Sequence, residues 1–112
     1  MTTSEESVLK KLEQTIQNRK SASAEKSYTA QLLAGGVEKI GAKVVEEAAE
    51  VVEAAGEQGE PGREHTIQEA GDLVYHLLVL LASREVSLAE VESELAGRFG
   101  MSGLTEKASR TK

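Results

Sequence analysis

Leu73-Val74-Tyr75-His76-Leu77-Leu78-Val79-Leu80-Leu81 is the stretch that decides the fold. It is apolar on nearly every side, and a helix of that kind is a buried one. It continues a segment that opens at Arg63 and runs to Ser83, so the spacing predicts one long helix over 63–83. That helix belongs at the centre of the fold or of an oligomer interface. Its longest uninterrupted apolar run, Leu77 to Ala82, is too short for a bilayer span of about 20 residues.

On the N-terminal side lies Gly56-Glu57-Gln58-Gly59-Glu60-Pro61-Gly62, with three glycines and the only proline of the chain. This reads as a loop. Before it, Val37, Ile40, Val44, Ala48, Val51 and Ala55 recur at intervals of three and four and predict a helix over 37–55. Gly35-Gly36 reads as the stop of a short helix over 28–33. Residues 21–26 are small and polar and read as a connection. Thr3 with Glu6 is a capping box, which opens a first helix over 4–19 marked by Val8, Leu9, Leu12 and Ile16. Ser87 with Glu90 is a second capping box, and Leu88, Val91 and Leu95 mark a short last helix. From Gly100 the chain is polar with a basic end and reads as a mobile tail. The expectation is an all-α bundle of four to five helices, one domain over 1–112, completed by homo-oligomerisation.

Composition agrees with that class and excludes others. The chain has 112 residues, enough for one domain. It has no cysteine, which removes disulfides, thiolate metal sites and a cysteine nucleophile. The formal net charge of −6 argues against nucleic acid as a partner. The acidic N-terminus carries no hydrophobic stretch, so it is not a secretory signal. A cytoplasmic protein without a membrane partner is the expectation.

The chemistry sits on the two helices that flank the loop. Glu47 and Glu50 are three residues apart, and so are Glu69 and Asp72. Residues at that spacing share a helix face. A short loop favours antiparallel neighbours. Glu50 lies six residues before Gly56 and Glu69 seven after Gly62; Glu47 lies nine before and Asp72 ten after. At 1.5 Å per residue the inner pair falls about 9–10 Å from the loop and the outer pair about 14–15 Å. The four carboxylates can therefore meet at one level. Two unit charges about 6 Å apart repel by roughly 3 kcal/mol at an effective dielectric near 20, so such a cluster calls for a cation. Carboxylate oxygens without a His or Cys set favour a hard ion, magnesium or manganese. Lys39, Lys43 and Glu46 fall on the same arc of the helix as Glu47 and Glu50. His65 and His76 flank Glu69 and Asp72 on theirs.

Each feature has a plainer alternative. Glutamates on an amphipathic helix commonly form a solvated face. Lys39 and Lys43 can simply pair with glutamates along the helix, Lys43 with Glu47 at i,i+4. His76, inside an apolar run, fits a hydrogen-bonded core residue. Tyr28 serves packing as readily as contact with a base. Spacing alone leaves the metal site and the solvated face about equally supported.

Glu47-x-x-Glu50 followed by Glu69-x-x-Asp72 resembles the motif of the all-α nucleoside-triphosphate pyrophosphohydrolases, the MazG-like proteins, in which these four positions bind magnesium. Ser27-Tyr28-Thr29-Ala30, Lys39-Ile40, Lys43-Val44, Glu46-Glu47-Ala48-Ala49-Glu50 and Asp72 through Leu81 resemble the phosphoribosyl-ATP pyrophosphohydrolase family more closely. So does the tail, Phe99-Gly100-Met101-Ser102-Gly103-Leu104. The resemblance covers roughly residues 8–110. Val45 departs from it, standing where the family usually has glycine. The resemblance implies a helical homodimer or larger assembly that hydrolyses phosphoribosyl-ATP to phosphoribosyl-AMP and pyrophosphate, the second step of histidine biosynthesis. It implies Glu47, Glu50, Glu69 and Asp72 as ligands of Mg2+, with Mn2+ as a substitute. On this reading Glu46 or Glu47 serves the attacking water, and Lys39, Lys43, Tyr28, Thr29 and His76 face the substrate. A house-cleaning hydrolase of free deoxynucleotides is the alternative on the same fold, and a non-catalytic helical dimerisation module the alternative outside it.

Overall fold

The computed structural model describes residues 7–99. Within them the chain forms four helices and no strand: α1 Val8–Arg19, α2 Tyr28–Ala55, α3 Gly59–Ser83 and α4 Leu88–Ala96. The Thr3–Glu6 box and the expected mobile tail from Gly100 lie outside the described residues. Among the described residues no helix is long and apolar enough to cross a membrane.

Three helices begin at serines whose hydroxyls take an otherwise unpaired backbone N–H. Ser7 accepts from Lys10, Ser27 from Ala30 and Ser87 from Glu90. At Ser87 the reciprocal bond from the Glu90 side chain completes the expected capping box.

Two expected breaks come out differently. Gly35-Gly36 does not end a helix with a loop. Gly36 alone takes φ 76°, ψ −172°, and helical hydrogen bonding resumes at once, so the predicted short and long helices are one kinked α2. Only glycine adopts that backbone region without steric cost. The loop expected over 56–62 shrinks to Gly56-Glu57-Gln58, because α3 already starts at Gly59. Pro61 is tolerated there, since first-turn N–H groups have no helical partner to lose.

The antiparallel α2–α3 hairpin is the frame, with α1 laid against both helices. Ile16, Leu32, Ile40, Leu78, Val79 and Ala82 form the core, extended by half-buried Leu12, Val74, Leu81 and Leu88. The four largest fully buried side chains are Ile16, Leu32, Ile40 and Val79. Each contributes roughly 1.5–3 kcal/mol by leaving water. This core fills the half of the hairpin away from the turn, which leaves the turn-proximal half for polar work. The apolar run of α3 is only partly enclosed: Leu77 is 41% exposed, and Ile67 further up the helix 57%.

Candidate metal centre

The turn sets the level of the acidic residues. Gly62 is buried, and a Cβ placed on it would stand 2.5 Å from the Glu57 carbonyl oxygen. Gly62 and Glu57 are therefore in direct contact across the turn. Glu50 lies seven residues before Glu57, and Glu69 seven after Gly62. Glu47 and Asp72 each lie ten away. Equal counts from one contact place each pair at one height.

The side chains follow. Glu47, Glu50 and Glu69 each offer an oxygen, and the three oxygens lie within 4.8 Å of one another. Glu47 is buried and Glu69 half-buried. Oε1 of Glu47 and Oε1 of Glu69 are enclosed without a hydrogen-bond partner. Unpartnered buried carboxylate oxygens are costly, and a bound cation is one way to satisfy them. Asp72 is exposed and stands outside the group of three, though its charge acts on Glu47. Burial, then the charges of Glu50, Asp72 and Glu69, push the Glu47 carboxyl up to about 6. Glu50 is also raised, first by the close approach of the Glu69 carboxyl and then by burial. The donors are all carboxylate, and those present fit a hard divalent cation.

Glu46 points elsewhere. It is half exposed, and its Oε1 pairs with Lys43 Nζ at 3.3 Å, at i,i+3 rather than in the i,i+4 pairing of Lys43 with Glu47. That hydrogen bond, and the Glu46 charge behind it, raise the Lys43 ammonium above its ordinary value. Lys39 is exposed, with its alkyl chain lying over Gly35.

Tyr28, Thr29 and His76 come together on the core side of Asp72. His76 Nδ1 donates to the Asp72 carbonyl at 2.9 Å. A carbonyl can only accept, so in the neutral ring Nε2 is the acceptor, and the Tyr28 hydroxyl donates to it at 3.2 Å. Both ring nitrogens of buried His76 are thus occupied within the protein. Thr29 bonds the Tyr75 hydroxyl. The Tyr28 and Tyr75 rings lie nearly parallel, 22° apart at 6.4 Å, and His76 stands edge-on to both. Tyr28 keeps half its surface in solvent. Tyr75 belongs to this group but is hidden in the sequence by the apolar run around it.

Among the residues that sequence reasoning left out of the site, His65 is the most prominent. Its Nε2 lies 3.2 Å from Glu69 Oε2, and its Nδ1 lies 3.0 Å from Glu57 Oε1. The hydrogen bond to Glu57 comes first in raising the imidazole above its ordinary value, with Glu69 adding to it. The i,i+4 spacing of His65 and Glu69 was the available signal.

A helical hairpin that brings three carboxylate oxygens to one point has the donor set of a hard-cation site. The model of the family described as phosphoribosyl-ATP pyrophosphohydrolase matches residues 9–99. A phosphoribosyl-ATP pyrophosphatase of Rhodopirellula baltica is 54% identical over 102 residues, covering 91% of this chain and 85% of the relative. That of Dinoroseobacter shibae is 53% identical over 104 residues, 93% of this chain and 99% of the relative. That of Neisseria meningitidis serogroup B is 45% identical over 106 residues, 95% and 96%. The chain belongs to the phosphoribosyl-ATP pyrophosphohydrolase family.

Proposed function

We infer that this chain hydrolyses the α–β phosphoanhydride of phosphoribosyl-ATP, giving phosphoribosyl-AMP and pyrophosphate, as a cytoplasmic enzyme of histidine biosynthesis. The observation that carries the reading is the convergence of Glu47, Glu50 and Glu69, with two enclosed and unpartnered oxygens, in a chain of this family. Membership favours phosphoribosyl-ATP over the free-deoxynucleotide and non-catalytic alternatives.

Glu47, Glu50 and Glu69 would hold Mg2+, or Mn2+ in its place, with Asp72 beside them at the solvent edge. When bound, the ion supplies charge neutralisation on the phosphates and a lowered pKa for the attacking water. The chain's residues do the rest. Lys43 and Lys39 balance phosphate charge on the same side of α2. Glu46, kept outside the buried group by Lys43, orients the water from the cluster's edge. Half-exposed Tyr28, steadied by His76, offers an aromatic face to the adenine, and Thr29 fixes the start of α2 beneath it.

The assembly is a homodimer or larger. Val37, Val45 and Val52 are all more than half exposed, with Gly41 and Ala48 between them at helical spacing. This apolar stripe runs along the flank of α2 opposite Lys39, Lys43 and Glu46. A second copy covering it would also explain exposed Ile67 and Leu77.

The test is pyrophosphate release from phosphoribosyl-ATP by the purified chain, with magnesium and then with excess chelator. Release that needs magnesium is expected. Equal release from free deoxynucleotides, or none at all from folded protein, would overturn the assignment. Light scattering of the same sample measures the assembly, and a monomer would remove the second copy.

A further inference from the structure

Glu69 has two oxygens in different situations. Oε2 is engaged by His65 at 3.2 Å, whereas Oε1 is enclosed and has no partner. A carboxylate on a helix can rotate about its side-chain bonds, and ordering it costs free energy unless a neighbour holds it. His65, one turn earlier on α3, is such a neighbour. It is itself held: Glu57 takes its Nδ1 with both oxygens, at 3.0 and 3.2 Å. Glu57 in turn sits in the three-residue turn, its main chain seated against Gly62. The result is a continuous chain of contacts from the backbone of the turn through Glu57 and His65 to one oxygen of Glu69.

We propose that His65, anchored by Glu57, is a positioning residue that fixes Glu69 so that its free oxygen is presented to a divalent cation. This rests on the metal-site reading above. His65 is not a ligand on this proposal, because its Nδ1 is hydrogen-bonded to Glu57 and its Nε2 already faces Glu69 Oε2 at 3.2 Å. Groups behind the ligands that orient them are worth about 10- to 100-fold in metal affinity. The metal is therefore the quantity to measure, ahead of turnover.

The experiment is a Mn2+ titration of the intact chain at one fixed pH, followed by isothermal calorimetry and by the loss of the free-ion EPR signal. It compares wild type with His65→Ala, His65→Gln, Glu57→Gln and Glu69→Gln, each checked for helicity and melting temperature. His65→Ala should weaken Mn2+ about 10- to 100-fold, with kcat recovered at saturating metal. His65→Gln keeps an N–H donor for Glu69 and should restore most of the affinity. Glu57→Gln should weaken binding in the same direction by a smaller factor, and it carries the test where His65→Ala fails to fold. Glu69→Gln removes a ligand and should lose turnover at any metal concentration. Wild-type affinity in both His65→Ala and Glu57→Gln would overturn the positioning role and leave the metal site standing. Absence of Mn2+ binding in the wild type would overturn both.

Discussion

The backbone N–H of Leu88, at the start of α4, donates to Glu13 Oε2 on α1 at 2.7 Å, across 75 residues of sequence. The carboxylate adds a fixed negative charge at a helix N-terminus, where the helix dipole favours it. Apart from half-buried Leu88 in the core, this bond is the main tie that locates α4, none of whose residues is fully buried. Glu13→Ala should cost about 1.5–3 kcal/mol, the range for a hydrogen bond to a charged group. Hydrogen exchange over residues 88–96 is the direct measurement. Unchanged protection there would mean that Leu88 alone holds the helix.

Glu47→Gln should stabilise the protein in chelator while abolishing turnover. At pH 8 the wild-type carboxyl is ionised against burial and three neighbouring carboxylates, which is why it is pushed up to about 6 from an ordinary 4.5. A shift of that size corresponds to about 2 kcal/mol. The folded value is raised, so this cost is absent below the ordinary value and grows as pH rises through 4.5 to 6. The advantage of the amide should therefore shrink on acidification. Thermal melts of both proteins in chelator at pH 5 and pH 8 check the sign, and a constant difference would contradict it.

Gly62→Ala should destabilise the hairpin. The added methyl would meet the Glu57 carbonyl at 2.5 Å, and the obstacle is backbone that cannot swing aside. Overpacking of this kind costs about 1–3 kcal/mol. Since this contact also sets the height of the acidic pairs, turnover should fall even where the variant is fully folded. Urea unfolding and pyrophosphate release, read together, separate the two effects.

Tyr28→Phe should cost more than its exposure suggests. Half of the ring is in solvent, yet its hydroxyl is the partner of buried His76 Nε2. Removing it strands an acceptor, at about 1–3 kcal/mol. Denaturant unfolding tests this, and a loss well under 0.5 kcal/mol would show that water replaces the hydroxyl.

Much of the frame was legible in the sequence because it is local. Apolar periodicity gave the long α2 and α3, and Ser87 with Glu90 gave the start of α4. The approach of Glu47, Glu50 and Glu69 to one another was legible from counting across one turn, whereas Asp72 stands outside that group. What misled was glycine, which permits a break without requiring one. Gly36 serves as a kink inside a helix, and Gly59 and Gly62 belong to the first turn of α3 rather than to a loop. The exposure of Asp72 and the outward turn of Glu46 towards Lys43 depend on rotamers and packing, which spacing does not encode. His65 was visible as a neighbour of Glu69, but its second partner, Glu57, sits in a stretch that read as loop. Tyr75 was masked by hydrophobic company.

The three-residue turn has a consequence for how this chain can vary in length. One residue inserted between Gly56 and Gln58 would have to be absorbed by the Glu57–Gly62 contact. Otherwise it would slide α3 against α2 by about 1.5 Å and rotate it by about 100°. The first outcome strains the hinge, and the second moves Glu69 out of phase with Glu50. The link from Lys20 to Ser27 has no such duty, since it joins helices that share only a greasy contact. Insertions and deletions should therefore collect in that link and avoid the turn, which acts as the molecule's built-in ruler.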